Sequence, residues 1–161
     1  MQGVFPWGGT LLVLFHKLIV KHSTLVGVNQ SISKFMDKDI FFAVTCYHVD
    51  EIMDSLADVE CPDDIRDRVY SNLVKCDMDT GFTYSNKRLK CTVMVIGLHS
   101  SQAQFLNSFE HEMRHMVDDI AETFGLNMGG EEVAYLTGDM NSTLWKDIHK
   151  FICCDCKCKN H

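Results

Sequence analysis

Apolar residues recur at helical spacing in the middle of the chain. Members of this stripe lie four residues apart or close to a multiple of one helical turn, which is the pattern of an amphipathic α-helix with one buried face. They are Phe105, Phe109, Met113 or Met116, Ile120 and Phe124. Ser101 precedes the stripe with Gln104 three residues later, as in an N-terminal capping box, and Gly125 follows it as a C-terminal stop. The pattern therefore predicts a helix from about Ser101 to Phe124.

Shorter patterns on either side of this helix predict a mixture of strands and helices. Some segments are rich in β-branched and aromatic residues, and others show helical spacing. The strands fall near 20–24, at 39–47 and, as a hairpin, at 81–98; the helices fall at 49–58, from Pro62 onward, and from Glu131 to about Ile148. The sequence thus predicts an α+β fold, in which a small mixed sheet packs on the 101–124 helix and on a second helix that begins at Glu131.

Composition and charge narrow the class of protein. The chain has 161 residues, 46% of them hydrophobic, which is enough to build the core of one domain. Its formal charge of -7 argues against nonspecific binding to nucleic acid. The apolar run at residues 10–20 is too short to span a bilayer. We expect an N-terminal extension over residues 1–30, one domain over 31–150 and a cysteine-rich tail over 151–161; nothing in the pattern indicates an oligomeric state.

The tail contains four cysteines and a histidine between residues 153 and 161. Thiolates and imidazole bind zinc and softer metals, so a second metal site is one interpretation. The spacing matches neither paired C-x-x-C motifs nor a zinc finger, and we favour a reduced, flexible tail.

The predicted central helix carries the sequence His111-Glu112-Met113-Arg114-His115, an H-E-x-x-H motif. Residues four apart lie on one face of a helix, so both imidazoles can reach one metal ion. Glu112, one position round the helix, can instead reach a water molecule beside that ion. Two imidazoles and a carboxylate base are the groups that zinc-assisted hydrolysis requires.

A zinc ion also needs a third protein ligand. Metzincins supply it from the same segment, with a glycine three residues after the second histidine and a histidine or aspartate ligand six residues after it. These positions are Asp118 and Ala121 here, so the metzincin pattern fails. Gluzincins supply a glutamate from a second helix, often as E-x-x-A, in which the small alanine lets two helices approach. Glu131 followed by Ala134 fits this pattern. We prefer Glu131 to Glu132, which we interpret as a favourable charge in the first turn of the helix.

These motifs together are similar to those of small zincin-like proteins of bacteriophages and prophages. The resemblance spans roughly Thr80 to Asn141, under half of the chain, and rests on the H-E-x-x-H motif with residues 100–107 before it and the 131–138 segment after it. It implies a minimal thermolysin-type site and a phage or prophage source, hence a location in the host cytoplasm or the virion. The connection from the motif to the second helix is short for thermolysin itself, so only the core arrangement carries over.

The sequence therefore predicts a zinc-dependent hydrolase, most simply a metallopeptidase acting on a peptide or protein. Zn²⁺ is the expected cofactor, with His111, His115 and Glu131 as ligands and Glu112 as the general base. The alternative is a non-catalytic phage structural or host-interaction protein on a zincin-like scaffold.

Further residues are assigned supporting roles. Asp118 or Asp119, one turn beyond the motif, can orient an imidazole by accepting its second N–H, and either acid, like Glu132, is an alternative ligand. Tyr84 and Tyr135 are candidate oxyanion donors. The exposed edge of the 81–98 hairpin is expected to hold an extended peptide through main-chain hydrogen bonds.

Overall fold

A computed structural model describes residues 19–22, 37–44, 48–75 and 81–153. Within these ranges the chain forms four strands and four helices. The strands are β1 (Ile19–His22), β2 (Asp37–Val44), β3 (Gly81–Asn86) and β4 (Cys91–Gly97). The helices are α1 (Val49–Asp58), α2 (Asp63–Val74), α3 (Gln102–Phe124) and α4 (Glu131–Ile152). This arrangement confirms the α+β class predicted from the sequence.

The strands form one mixed sheet in the order β1-β2-β4-β3. β2 runs parallel to β4, with Ile40 opposite Met94, and β1 pairs antiparallel with β2. β3 and β4 form the antiparallel hairpin, in which Thr83 lies opposite Met94. β3 is therefore an edge strand of the described sheet, and it is the strand that borders the motif helix.

Two apolar layers cover the two faces of the sheet. Because side chains alternate along a strand, Met94 and Ile96 of β4 face one side and Val93 and Val95 face the other. The first side packs against α3 and α4, and Phe109 at its centre is fully buried. The second side packs against α1 and α2. α3 is thus held between the sheet and α4.

The ends of α3 agree with the sequence prediction. Ser101 is the N-cap, and its hydroxyl accepts a hydrogen bond of 3.2 Å from the backbone N–H of Gln104. The Gln104 side chain does not complete a capping box, because its carbonyl accepts from Ser100 at 2.6 Å. Gly125 ends the helix in the left-handed conformation, with φ of 67°. The predicted span of the motif helix is confirmed.

Smaller differences appear at other boundaries. β2 begins at Asp37 and its described part ends at Val44, earlier than the predicted 39–47. Pro62 is the N-cap of α2, one position before the first helical residue. The expected N-terminal extension lies largely outside the described residues, as does the tail beyond Cys153 with its suggested second metal site. None of the described helices is long and apolar enough to cross a membrane.

Candidate metal centre

The motif residues of α3 are divided between solvent and the protein interior. His111 and His115 are exposed, whereas Glu112 is only 3% exposed. The division follows from helical phase, because the apolar stripe through Phe109, Met113 and Met116 faces the sheet and places Glu112 at its margin. The imidazoles therefore stay open to a ligand while the carboxylate is fixed inside.

The two imidazoles converge on one point. Their Nε2 atoms lie 3.2 Å apart, and the rings meet edge to face at 83°. Two nitrogens bound at 2.0–2.1 Å to one tetrahedral zinc ion are separated by about 3.3 Å. The same spacing also lets one ring N–H donate to the other ring. The distance between the Nε2 atoms of His111 and His115 is therefore compatible with a shared zinc ion and also with a hydrogen bond between the two rings.

Glu112 is enclosed between α3 and the edge strand β3. The Thr83 hydroxyl donates to its carboxylate oxygen Oε2 at 2.9 Å and lies 3.2 Å from its backbone carbonyl. Gly81 allows this close approach, because a methyl group on it would lie 3.2 Å from Cγ of Glu112 and 2.3 Å from the carbonyl oxygen of Val95. A buried carboxylate is costly unless it is hydrogen-bonded, so Thr83 stabilises Glu112 in this position.

Neither Thr83 nor Gly81 was among the residues predicted from the sequence. Tyr84 was predicted instead, but alternation along β3 turns Phe82 and Tyr84 toward the layer formed by α1 and α2. Burial there, together with nearby Cys61 and Glu60, raises the pKa of Tyr84. Tyr84 therefore lies on the face of the sheet opposite the motif helix, and no contact supports its predicted role as an oxyanion donor. A glycine at the first position of a predicted strand was the available signal for the close approach.

The two acids after the motif are engaged with cations. Asp118 accepts from Arg114 Nε at 2.9 Å. Asp119 lies 3.6 Å from Lys87 Nζ, which also donates to Glu122 at 2.5 Å. The hydrogen bond to Glu122 and the nearby acids raise the pKa of Lys87. A role for Asp118 or Asp119 in orienting an imidazole stays a prediction.

Glu131 does not join the histidine pair. It is exposed in the first turn of α4, and the buried face of that helix is formed by Val133, Met140, Leu144 and Ile148. Ala134, the small residue of the E-x-x-A pattern, is also exposed, as is Gly138 one turn later. Among the residues that the structure describes, no three His, Cys, Asp or Glu side chains lie close enough to hold one metal ion.

Glu132 and Tyr135 also lie at the exposed start of α4. Glu132 occupies the first turn, as the sequence predicted, where a negative charge favours the helix. Tyr135 is 57% exposed, and the structure gives it no place beside Glu112. Its role as an oxyanion donor remains a sequence prediction without a supporting contact.

A hydrogen-bonded pair that the sequence did not predict lies just before the motif. His99 Nε2 is 2.7 Å from the hydroxyl of Ser108, and His99 Nδ1 is 2.7 Å from the carbonyl of Gly97. The His99 ring also meets Phe105 edge to face. This pair joins the end of β4 to the first turns of α3, and so helps to fix the direction of the motif helix.

Comparison with protein-family models, curated proteins and solved structures finds no match for this chain. Support for a function accordingly comes from the histidine pair, from the buried Glu112 and from the strand beside them.

Proposed function

We propose that the protein is a zinc-dependent hydrolase of zincin-like design, and specifically a metallopeptidase. One observation carries the proposal: two exposed imidazoles with Nε2 atoms 3.2 Å apart lie beside a carboxylate that is 3% exposed. The spacing of the two nitrogens fits two ligands of one zinc ion as well as a hydrogen bond between the rings, and a buried glutamate is rare unless it is paired or used. Together these features supply a ligand pair and a base.

Each residue then has a defined task. His111 and His115 would hold the ion. When bound, zinc polarises a carbonyl group and makes water more acidic. Glu112 accepts a proton from the water whose oxygen bonds to the carbonyl carbon, and it passes that proton to the amine nitrogen as the C–N bond breaks. Thr83 keeps one oxygen of Glu112 fixed, which leaves the other to face the water.

Among the candidates for the third ligand, Glu131 and Asp118 are the two that can be argued most directly. Glu131 is the one that the sequence pattern favours, but its position on the exposed side of α4 requires that helix end to reorient. Asp118 lies three residues after His115, so it is close to the histidines on the surface of α3, and it must release Arg114 to bind. The two candidates differ in a measurable way, because each predicts a different alanine variant that loses zinc.

Strand β3 supports a peptide as the substrate. It pairs with β4 along one edge, and in the described sheet its other edge has no neighbouring strand. An extended peptide can add to such an edge through main-chain hydrogen bonds. Because Thr83 of β3 contacts Glu112, a peptide on this edge would lie near the base.

The alternative is a non-catalytic phage structural or host-interaction protein with the same framework. Its support is that the described residues bring together two metal donors and not three. This alternative predicts weak zinc binding and no hydrolysis.

Zinc affinity and peptide hydrolysis test the proposal together. The wild-type protein is expected to bind one zinc ion, and His115→Ala to lose at least about tenfold in affinity, as seen when a ligand sphere is disturbed. His48→Ala, a change in the residue that precedes α1, is the matched control and should bind zinc normally. Alanine variants of Glu131 and Asp118 identify the third donor.

Glu112→Gln separates the base from the ligands. It should bind zinc as the wild type does, while hydrolysis of a mixed peptide library falls by about 10²–10⁴-fold. A wild-type protein that binds zinc without hydrolysing peptides supports the non-catalytic alternative. An active Glu112→Gln variant contradicts the assignment of the base.

A further inference from the structure

Two large aromatic side chains are exposed on α4. Tyr135 is 57% exposed and Trp145 is 56% exposed, although both belong to a helix of 22 residues that packs well on its other side. Tyrosine and tryptophan are enriched where proteins bind one another, and they often dominate the binding energy there. These two residues therefore mark a surface of α4 that is suited to binding a partner.

The aromatics belong to a continuous stripe along the outer face of α4. Successive members are four, three, four, three and four residues apart, which is the heptad spacing of helices that pack side by side. They are Glu131, Tyr135, Gly138, Ser142, Trp145 and His149. A methyl group on Gly138 would meet no atom within 4 Å, so the stripe has a shallow notch at this residue.

The two ends of α4 differ in charge, although Lys150 at the basic end also pairs with Asp147 at 3.2 Å. Glu131 and Glu132 occupy the first turn, and His149 and Lys150 occupy the last turn, with Lys146 exposed just before them. A second copy of the helix running in the opposite direction would place acidic ends beside basic ends. This arrangement would also place the positive end of each helix dipole beside the negative end of the other, which is favourable. The stripe is therefore complementary to itself.

From this self-complementarity we infer that the outer face of α4 is a homodimer interface, with the two α4 helices antiparallel about a twofold axis level with Met140. One register pairs every member of the stripe. Tyr135 meets Trp145 of the partner subunit, and Gly138 meets Ser142 of the partner subunit, so that small residues at the centre let the helices approach closely. Glu131 meets His149 of the partner subunit, and symmetry repeats each pair.

A second copy fits this face better than an unrelated protein does, because all three pairs arise from one chain at one register. The interface is small: 22 residues at 1.5 Å each give a helix about 33 Å long. Contacts of this size lie at the lower end of specific interfaces. The dimer is accordingly in equilibrium with its monomer and forms as the concentration rises. The aromatic pairs do not depend on zinc binding or hydrolysis, whereas the pair made by Glu131 requires that Glu131 is not a zinc ligand.

Sedimentation velocity of the full-length chain, from low to high micromolar concentration, tests the interface. The wild-type protein is expected to shift from monomer to dimer across this range. Tyr135→Glu and Trp145→Glu should each raise the dissociation constant by about tenfold or more, as for central aromatic contacts. Tyr70→Glu is the matched control, because Tyr70 is 50% exposed on α2, and it should leave association unchanged.

A charge exchange tests the antiparallel register. Glu131→Lys would place a cation beside the partner subunit's Lys150, and His149→Glu would place an acid beside the partner subunit's Glu131, so each should weaken association. The double variant pairs the new lysine with the new glutamate and should restore it. A wild-type protein that stays monomeric overturns the inference, including the case in which another part of the chain shields Trp145. A dimer that is unaffected by Trp145→Glu, or a double variant no stronger than the single ones, overturns it as well.

Discussion

The hydroxyl of Thr83 donates to the carboxylate of Glu112 at 2.9 Å, joining the edge strand β3 to the motif helix α3. Glu112 is 29 residues away in the chain and almost fully buried. The bond therefore links the stability of the fold to the position of the proposed base.

Replacing Thr83 with valine keeps the shape of the side chain and removes this donor. We expect Thr83→Val to lower the free energy of unfolding by about 1–3 kcal/mol, because it leaves a buried carboxylate oxygen without its partner. Urea denaturation measures the change. Thr137→Val is the control, since the Thr137 hydroxyl bonds to a helix carbonyl at 2.8 Å, and it should cost no more than about 0.5 kcal/mol. Equal losses in the two variants would contradict the role of Thr83.

Substitution by alanine should have opposite effects on stability at Gly81 and Gly138. At Gly81 an added methyl group would lie 2.3 Å from the carbonyl oxygen of Val95, so strand β3 must shift. Gly81→Ala should therefore destabilise the protein by more than about 1 kcal/mol. Gly138→Ala should instead stabilise it by about 0.5–1 kcal/mol, because Gly138 is an exposed helical residue with open space around it.

Thermal and urea unfolding of both glycine variants, at a concentration low enough to keep the protein monomeric, provide the comparison. A stable Gly81→Ala variant would show that β3 does not approach β4 and α3 as closely as described.

The thiol of Cys61 should make the free energy of unfolding depend on pH in the alkaline range. Burial raises the pKa of Cys61 above its ordinary value of 9.0, and nearby Arg66 opposes this only in part. Above pH 9.0 the unfolded chain ionises at this thiol while the folded chain keeps its proton, so the free energy of unfolding should fall as pH rises. Below that pH the thiol is neutral in both states and the effect disappears.

Urea denaturation over a pH series, under reducing conditions, measures this slope. Cys61→Ala should lessen the alkaline decline even though it also loses some buried area. Tyr84, whose pKa is raised from its ordinary value of 10.0 by burial, should account for part of the remaining slope. An unchanged slope in Cys61→Ala would contradict the assignment.

Lys87 connects the β3–β4 turn to α3 through Glu122 and Asp119. The lysine side chain is 41% exposed, so solvent screens these ion pairs. We expect Lys87→Ala to lower the free energy of unfolding by at most about 1 kcal/mol. Repeating the measurement at about 1 M salt should remove most of the difference from the wild type. A loss that persists in high salt would indicate packing by the lysine stem and not charge.

Structural features that depend on residues close together in the chain could be predicted from the amino-acid sequence alone. Ser101 and Gly125 set the ends of α3 because a capping hydrogen bond and a left-handed turn each involve residues at most a few positions apart. The meeting of His111 with His115 was predictable for the same reason, since one helical turn separates them. The mixed α+β class followed from the periodicities.

Only the tertiary structure decided which neighbouring element each face of a strand or helix contacts. The hairpin register turned Thr83, and not Tyr84, toward Glu112, and a shift of one residue would have reversed that choice. The packing of α4 through Met140 and Leu144 left Glu131 and Gly138 on the outside. Such choices depend on contacts between residues far apart in the chain, and the pattern within one segment does not say which other element each of its faces will meet.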